Sequence, residues 1–286
     1  MGVAYTGAMN DFTSQTVRST DNTAITYREL GAGPGLVVVP GSLGSASDYM
    51  RLARALANEF TVYVVNRRGH EDSGPIRADH NMAVECQDLT AVLKHTKARL
   101  LFGHSIGGLI SLQTALAVPL DKVAVYEPPL SVDGSIPTDW LPTMQQALAA
   151  QKYARAMAII MKGLQLSSDA GKLPTSLLTM MLTVLLQLRK GEDGKPWKHH
   201  IVDLLPTMPT DIRLVQELDS LQEHFRSLTV PTLLLSGAKS APHFQLAVQT
   251  LADVLPQAEH VSMPRLEHNA PNHDAPEAVA KALSSF

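Results

Sequence analysis

The chain has 286 residues, which is enough for one large α/β domain or two small ones. Its 24 Lys and Arg against 27 Asp and Glu give a formal net charge of −3. This balance argues against a general nucleic-acid-binding protein, because such proteins carry a basic excess. Apolar residues make up 45% of the chain and charged residues 18%, so it can bury a sizeable core and is not expected to be disordered.

Cysteine usage and hydropathy predict a cytoplasmic protein without a membrane span. The only cysteine, Cys86, cannot form an internal disulfide or a cysteine-based metal cage. The first 12 residues have neither the basic start nor the apolar stretch of a secretory signal. The most apolar segment, 177–188, is interrupted by polar residues and is too short to cross a bilayer. No Walker motif, dinucleotide glycine pattern or metal-ligand cluster occurs, so neither a cofactor nor a metal is expected.

Strand-like and helix-like segments alternate over residues 16–129, as expected for a mostly parallel sheet with helices on both faces. The predicted strands are 24–30, 36–40, 61–66, 99–104 and 122–127. Apolar residues at helical spacing predict helices over 46–58, 79–94 and 106–118. The same alternation returns near the end, with a strand over 232–237, a helix over 243–255, a strand over 258–263 and a helix over 275–286.

The intervening segment lacks the strand pattern and predicts an inserted helical cap. We expect an α/β core of 1–130 and 230–286 and a cap of 131–229, broken by prolines and by a turn-like segment at 191–194. Flexible thioethers suit an adaptable apolar surface, so the methionines here are interpreted as a set that faces an apolar substrate. Each one alone fits an ordinary core position equally well. They are Met144, Met157, Met161, Met180, Met181 and Met208.

The most specific motif is Gly-His-Ser-Ile-Gly at 103–107, between a predicted strand and a predicted helix. This context makes G-x-S-x-G a nucleophile elbow. A strand that turns sharply into a helix strains its central residue, and flanking glycines leave room for the exposed hydroxyl. Ser105 is therefore the candidate nucleophile. The alternative is a glycine-rich turn with an inert serine.

Acyl transfer at Ser105 also needs two hydrogen-bond donors for the oxyanion. One is expected to be the backbone N–H of Ile106, where the N-terminus of the helix adds favourable partial charge. The glycine-rich loop 40–45 can turn a second amide into the site, and we assign that donor to Ser42. The alternative is an ordinary strand-to-helix turn without a catalytic amide.

Four segments together resemble the α/β-hydrolase family over nearly the whole chain. Pro-Gly-Ser at 40–42 is similar to the family's oxyanion loop, with proline in place of histidine, and 66–73 resembles its D-x-R-G-x-G-x-S turn. The motif at 103–107 matches the elbow, and 266–268 is similar to the histidine loop. Asn66 stands where the family has an aspartate, a change expected to cost little. The resemblance implies an α/β-hydrolase fold and a serine hydrolase that needs no cofactor.

The resemblance also implies that the general base follows the last strand. Three histidines occur in that region. His260 lies inside the predicted strand, whereas His268 follows it in a loop, so we assign the base to His268. His273 is the alternative. His104, next to the nucleophile, is interpreted as a packing or supporting residue.

The triad acid departs from the family pattern. The family carries an aspartate in a G-x-x-D pattern after the strand equivalent to 232–237, but residues 237–240 here read Gly-Ala-Lys-Ser. A bacterial subset of the family that resembles this chain has Tyr-Glu-Pro-Pro after the preceding strand, and that sequence occurs at 126–129. We therefore assign the acid to Glu127, at the carboxyl end of a strand, where ligand-site residues collect. Alternatively, Glu127 only supports the entrance to the cap; Asp253 and Glu267 fit the acid less well.

These residues predict a serine hydrolase that cleaves a carboxylic ester or lactone through an acyl-enzyme. Its expected partner is an apolar small molecule of medium to large size, and the sequence leaves the oligomeric state open. A non-hydrolytic protein on the same scaffold, such as a ligand receptor, cyclase or lyase, is the alternative because fold alone does not separate these functions.

Overall fold

A single eight-stranded sheet organises the chain, in the order β1-β2-β4-β3-β5-β6-β7-β8. The computed structural model describes residues 12–166, 168–188 and 197–286. β1 pairs antiparallel with β2 and β2 antiparallel with β4, and every other pairing is parallel. The strands are β1 (Thr13–Arg18), β2 (Ala24–Gly31), β3 (Gly35–Val39), β4 (Thr61–Val65), β5 (Leu100–His104), β6 (Lys122–Tyr126), β7 (Thr232–Gly237) and β8 (Ala258–Met263).

The central strands are apolar on both faces, and this requires helices on both sides of the sheet. In β3, Val37 and Val39 belong to one core cluster, while Leu36 and Val38 belong to the opposite one. One cluster is completed by α2 (Met82–Thr96), α3 (Ile106–Ala115) and α10 (Pro242–Val254), and the other by α1 (Met50–Leu56) and α11 (Pro276–Ser285). The predicted α/β-hydrolase arrangement of a mostly parallel sheet between helices is confirmed.

The remaining helices lie between β6 and β7. They are α4 (Leu141–Ala149), α5 (Tyr153–Gly163), α6 (Ser168–Lys172), α7 (Thr175–Leu188), α8 (Trp197–Leu204) and α9 (Met208–Glu217). Trp140, Met144 and Ile160 form a separate cluster there with Ile212 of α9. The turn predicted at 191–194 lies outside the described residues. In the part of the chain that is described, no helix combines the length and apolarity needed to cross a bilayer.

α9 packs against both the inserted helices and the sheet. Ile212 contacts the cluster of the inserted helices, whereas Leu214 and Val215 belong to a core cluster of the sheet. Helical periodicity places Leu214 on the face opposite Ile212, whereas Val215, three residues after Ile212, lies on the same side and contacts the sheet core at its edge. The division of the chain at 131–229 therefore stays a prediction, since one helix of the insertion is shared with the core.

Local capping explains where the structure departs from the predicted bounds. The predicted helix 79–94 begins at Met82, because the Asn81 side chain accepts a hydrogen bond from the Val84 amide at 3.1 Å and caps the helix. The predicted helix 46–58 is divided into a 3₁₀ turn, Ala46–Tyr49, and α1. Strand β1 was not predicted from the sequence. Its side chains are mostly exposed and polar, so it has no apolar pattern.

A buried ion cluster joins the helical insertion to the sheet. Arg67, which follows β4, donates to Glu85 of α2 at 2.6 Å and to Asp211 of α9 at 2.7 Å. Burial alone would raise the pKa of Glu85, but the Arg67 guanidinium outweighs it and holds that pKa well below its ordinary value. His80 Nε2 lies 3.0 Å from the same carboxylate. Because two carboxylates share one guanidinium, Arg67 keeps one buried carboxylate partner when the other is removed, but one of its two buried ion pairs is broken.

Glu85→Gln should lower the free energy of unfolding by about 3 kcal/mol, the lower end of the range for a broken buried pair, because Asp211 still compensates Arg67. A depressed carboxyl pKa stabilises the fold above the ordinary Glu pKa, and that contribution is lost as the pH falls below it. The wild type should therefore lose stability more steeply than Glu85→Gln between about pH 5 and pH 3.

Urea unfolding at several pH values measures both effects. Glu223→Gln is the matched control, because Glu223 pairs with Arg226 on the surface and should leave the curve unchanged. Equal unfolding free energies for Glu85→Gln and wild type at pH 7 would contradict the prediction.

Candidate active site

Ser105 occupies a strained turn between β5 and α3. Its φ of +53° and ψ of −127° place a non-glycine residue in a sparsely populated region. Glycines permit this turn: a Cβ on Gly103 would lie 2.3 Å from the Gly107 carbonyl oxygen, and a Cβ on Gly107 would lie 2.3 Å from the Val39 carbonyl oxygen. The motif at 103–107 therefore has the geometry of a nucleophile elbow.

The register of β5 and β6 places Glu127 beside the elbow. His104 pairs with Tyr126 as the last residues of the two parallel strands, so Ser105 and Glu127 leave the sheet at the same edge. The Ser105 amide donates to the Tyr126 carbonyl oxygen at 2.9 Å. Glu127 also has a positive φ, +46°, and its amide donates to Leu235 of β7 at 3.0 Å. Both candidate residues therefore occupy strained positions supported by the neighbouring strand.

The Glu127 carboxylate is fully buried and binds His268. His268 Nδ1 lies 2.7 Å from Glu127 Oε2, and the Gly237 amide donates to Glu127 Oε1 at 2.7 Å. A carboxylate can only accept hydrogen bonds, so Nδ1 of His268 carries the proton. Nε2 of a neutral imidazole is then free to act as a base.

Three contacts fix the loop that carries His268. The Lys239 amide donates to the Leu266 carbonyl oxygen at 3.0 Å, and the Tyr126 hydroxyl donates to the Glu267 carbonyl oxygen at 2.9 Å. Phe244 of α10 stacks on the His268 ring, with centroids 3.9 Å apart and an interplanar angle of 11°. Backbone bonds and ring stacking together restrict the imidazole to one orientation.

Ser105 and His268 line one largely apolar cavity of about 70 Å³. Typical small-molecule sites enclose about 300–1,000 Å³, so this cavity takes only a small group in the present conformation. Its polar members include Asp211, whose carboxylate is held by Arg67. Apolar side chains form most of the wall: Leu43, Ile106, Pro129, Ile136, Ile160, Leu164, Leu166, Met208, Ile212, Val215 and Phe244.

The backbone amides of Ser42 and Ile106 are both available at the cavity wall. Both residues line the cavity, and no acceptor among the described residues binds either amide. Ile106 is the first residue of α3, where unpaired N–H groups carry partial positive charge. Within the described chain, no hydrogen bond joins the Ser105 hydroxyl to His268. Such bonds often tighten only when substrate is bound.

The alternative residues lie elsewhere. His260 is in β8, where Nε2 contacts the Ser236 hydroxyl at 2.9 Å. His273 lies in the turn Ala270–Asp274, and the histidines that line the cavity in the described structure are His104 and His268. Asp253 is exposed on α10, where it accepts from Gln249.

The interpretation of the methionines as a substrate-facing set is wrong. Of the six, only Met208 lines the cavity among the described residues. Leu178, Leu182 and Leu186 form the buried face of α7, so Met180 and Met181 point outward and are 60% and 52% exposed. Composition identifies an adaptable helical segment, but it does not determine which helix faces the site.

Three residues of the site were not predicted from the sequence. Tyr49 contacts His104, Phe244 stacks on His268, and Asp211 provides a charged group at the cavity wall. Tyr49 and Phe244 have no sequence signal beyond that of ordinary core aromatics. For Asp211 a signal exists, because an acid among apolar residues at helical spacing, here Met208, Ile212 and Val215, requires a buried partner.

Within residues 12–166, 168–188 and 197–286, no group of three or more His, Cys, Asp or Glu side chains is placed to hold a metal ion.

Comparisons with known proteins agree with this fold. The model of the alpha/beta hydrolase family matches residues 36–282. A pimeloyl-[acyl-carrier protein] methyl ester esterase of Stenotrophomonas maltophilia (strain K279a) is 25% identical over 262 residues, covering 90% of this chain and 93% of that relative.

Two solved structures are similar over nearly the whole chain. An alpha/beta hydrolase from Sphaerobacter thermophilus DSM 20745 has a TM-score of 0.77 at 29% identity, covering 95% of this chain and 99% of that one. The enol-lactonase from Burkholderia xenovorans LB400 has a TM-score of 0.70 at 18% identity, covering 95% and 99%. Since the family model spans most of its length, the chain belongs to the alpha/beta hydrolase family, and this membership supports a hydrolase activity.

Proposed function

We propose that the protein is a cofactor-free serine hydrolase that cleaves a carboxylic ester or lactone of an apolar substrate. The observation that carries the proposal is the buried contact between Glu127 and His268. The His268 side of this contact lines the same cavity as Ser105. The names of the esterase relative and of the enol-lactonase neighbour support ester or lactone chemistry. The helices in 131–229 are proposed to act as a cap, and a cytoplasmic location stays an expectation.

In the acylation step, the Ser105 hydroxyl attacks the acyl carbon. His268 Nε2 accepts the hydroxyl proton, and the Glu127 carboxylate stabilises the imidazolium that forms. The developing oxyanion receives hydrogen bonds from the Ser42 and Ile106 amides. The tetrahedral intermediate then expels the alcohol, which takes the proton from His268, and an acyl-enzyme remains.

Water resolves the acyl-enzyme through the same groups. His268 accepts a proton from water, the hydroxide adds to the acyl carbon, and the same two amides hold the second oxyanion. Collapse releases the carboxylic acid and returns the proton to Ser105. With a lactone, the alcohol and the acid remain one molecule, so the product is a hydroxy acid.

The cavity limits the group that can enter. Its walls favour apolar atoms, but its volume of about 70 Å³ accommodates only a small group. We therefore propose that the group inside the cavity is short and apolar. This narrows the sequence-based prediction of a medium to large substrate: any larger part must lie outside the cavity in this conformation.

Ser105→Ala should lower kcat by about 10⁴–10⁶, because the triad acts as a unit. A fluorophosphonate should label the wild type stoichiometrically at Ser105 and should not label the variant. Ester turnover and mass spectrometry measure the two effects. A folded wild-type protein that is inert to the reagent would instead favour a non-hydrolytic use of the pocket.

Glu127→Gln should lower kcat by about 10²–10⁴ with little change in fold. The side-chain oxygen of the introduced Gln can still accept the hydrogen bond of the Gly237 amide. The side-chain NH₂ group of the Gln then faces His268 Nδ1. The imidazole must then move its proton to Nε2, which can no longer accept the proton of Ser105.

Steady-state kinetics and circular dichroism measure this change. Ser240→Ala is the matched control in the loop where the family usually carries its acid, and it should cost far less. Turnover by Glu127→Gln close to that of the wild type would remove Glu127 from the triad.

Enlarging the cavity should move the preference toward longer acyl chains. Ile212→Ala removes part of the wall, so the acyl length with the highest kcat/KM should increase in a series of esters of one alcohol. Each added CH₂ that enters the new space should gain up to about 0.8 kcal/mol, or roughly fourfold.

Leu186→Ala is the control, because Leu186 is buried in the same cluster as Ile212 but does not line the cavity. Both changes should destabilise the protein by about 2–5 kcal/mol. This assignment of the pocket would be contradicted if the preferred acyl length shifted equally in both variants. It would also be contradicted if the preferred length shifted in neither variant.

A further inference from the structure

A buried chain of hydrogen bonds connects the three loops around the cavity. The Gly41 amide donates to the Tyr49 hydroxyl at 2.9 Å, and Tyr49 Oη lies 2.5 Å from His104 Nδ1. On the other side of the ring, His104 Nε2 lies 2.9 Å from the main-chain carbonyl oxygen of His268. The chain therefore runs from the residue before Ser42, past the residue before Ser105, to the backbone of the proposed base.

The chemistry of the groups fixes the direction of every bond. The Gly41 amide can only donate, so the Tyr49 oxygen accepts from it. The His268 carbonyl oxygen can only accept, so the neutral ring of His104 carries its proton on Nε2, and Tyr49 directs its own proton to Nδ1. Nδ1 is then an acceptor, and the ring proton lies on Nε2. From there it is donated to the His268 carbonyl oxygen, which can only accept. The four groups are compatible with one tautomer of His104.

The surroundings maintain that tautomer. Tyr49 is 1% and His104 3% exposed. Burial lowers the pKa of His104 well below its ordinary value, and the positive charge on a protonated His268 acts in the same direction. Burial also raises the pKa of Tyr49, so its hydroxyl keeps its proton. Tyr49 and His104 therefore both stay uncharged around neutral pH, and the hydrogen bonds between them keep their direction.

The three loops are packed too closely to be positioned independently. A Cβ on Gly41 would lie 3.0 Å from the Ser105 Cβ and 3.3 Å from His104 Nδ1. The ring centroids of His104 and His268 are 4.9 Å apart. Because these groups are in direct contact, a change in one hydrogen bond is transmitted to the next loop.

We propose that Tyr49 and His104 are positioning residues that hold the Ser42 amide and the His268 backbone in the geometry of the transition state. The inference rests on the proposed serine hydrolase function. Neither residue needs to contact the reacting atoms. Tyr49 fixes the loop of the second oxyanion donor, and His104 fixes the loop of the base.

Tyr49→Phe tests this inference, because it deletes one oxygen and leaves the ring in place. An oxyanion donor acts mainly in the transition state, so its displacement lowers kcat and leaves KM nearly unchanged. We expect kcat to fall by about tenfold or more and KM to change by less than about threefold. The rate at which a fluorophosphonate labels Ser105 should fall in parallel.

Tyr27→Phe is the matched control: Tyr27 is a buried tyrosine of β2 that does not line the cavity, and its loss of a hydroxyl should change neither rate. A folded Tyr49→Phe with both rates within about twofold of the wild type would overturn the inference, whatever its Tm. If Ser105→Ala keeps its turnover, the proposed function itself fails; if Ser105→Ala is inactive and Tyr49→Phe is normal, only the positioning role fails.

The wild-type protein provides a second measurement, which holds even if Tyr49→Phe does not fold. Nitrogen-15 NMR of the histidine rings distinguishes protonated from unprotonated ring nitrogens. A proton on Nε2 of His104 and none on Nδ1, unchanged between about pH 6 and pH 8, supports the chain. A proton on Nδ1 would reverse the Tyr49 bond and overturn the inference.

Discussion

The site depends on one buried carboxylate with two hydrogen-bond donors. Glu127 is inaccessible to water, so its charge must be compensated by the Gly237 amide and by His268 Nδ1, each at 2.7 Å. These two donors come from the end of β7 and from the loop after β8, so both segments must lie next to Glu127. β7 must end with its amide directed at Glu127, and the loop after β8 must return across the end of β7. Gly237 makes that crossing possible, because a Cβ there would lie 2.4 Å from the Leu266 carbonyl oxygen.

As the proposed triad acid, the same carboxylate would account for the absence of an acid in the segment after β7. In Gly-Ala-Lys-Ser at 237–240, the amides of Gly237 and Lys239 are used for support, the first on Glu127 and the second on the Leu266 carbonyl oxygen. The backbone of this segment thus holds both the carboxylate and the histidine loop, while the charge comes from the neighbouring strand. Glu127, the first residue after β6, has a positive φ of +46°. From this strained backbone position its carboxylate contacts His268 and the Gly237 amide.

Much of the fold was predictable because parallel strands buried on both faces are continuous apolar runs. The bounds of β7 and β8 agree with the prediction, whereas β1 is polar and exposed and has no such signal. The candidate residues after β3, β5, β6 and β8 were found from motifs and from strand ends. All of them line one cavity except Glu127, which lies behind His268 and contacts its Nδ1. Their roles stay predictions. Tyr49 could not be found in this way, because a buried tyrosine 55 residues before His104 looks like any core aromatic until the fold brings the two rings together.

The cavity is small because one of its walls belongs to the core. α9 contributes Met208, Ile212 and Val215 to the lining, and its Asp211 is bound to Arg67 of the sheet. Moving α9 outward would separate this buried ion pair, at a cost of about 3–5 kcal/mol, and would expose Leu214 and Val215. The helices before α9 have no ion pair to the core among the described residues. In α5, Ile160 lines the cavity and packs in the separate cluster of the insertion. Any widening of the cavity for a larger substrate is therefore least costly on the side of α5, with α9 as the fixed wall.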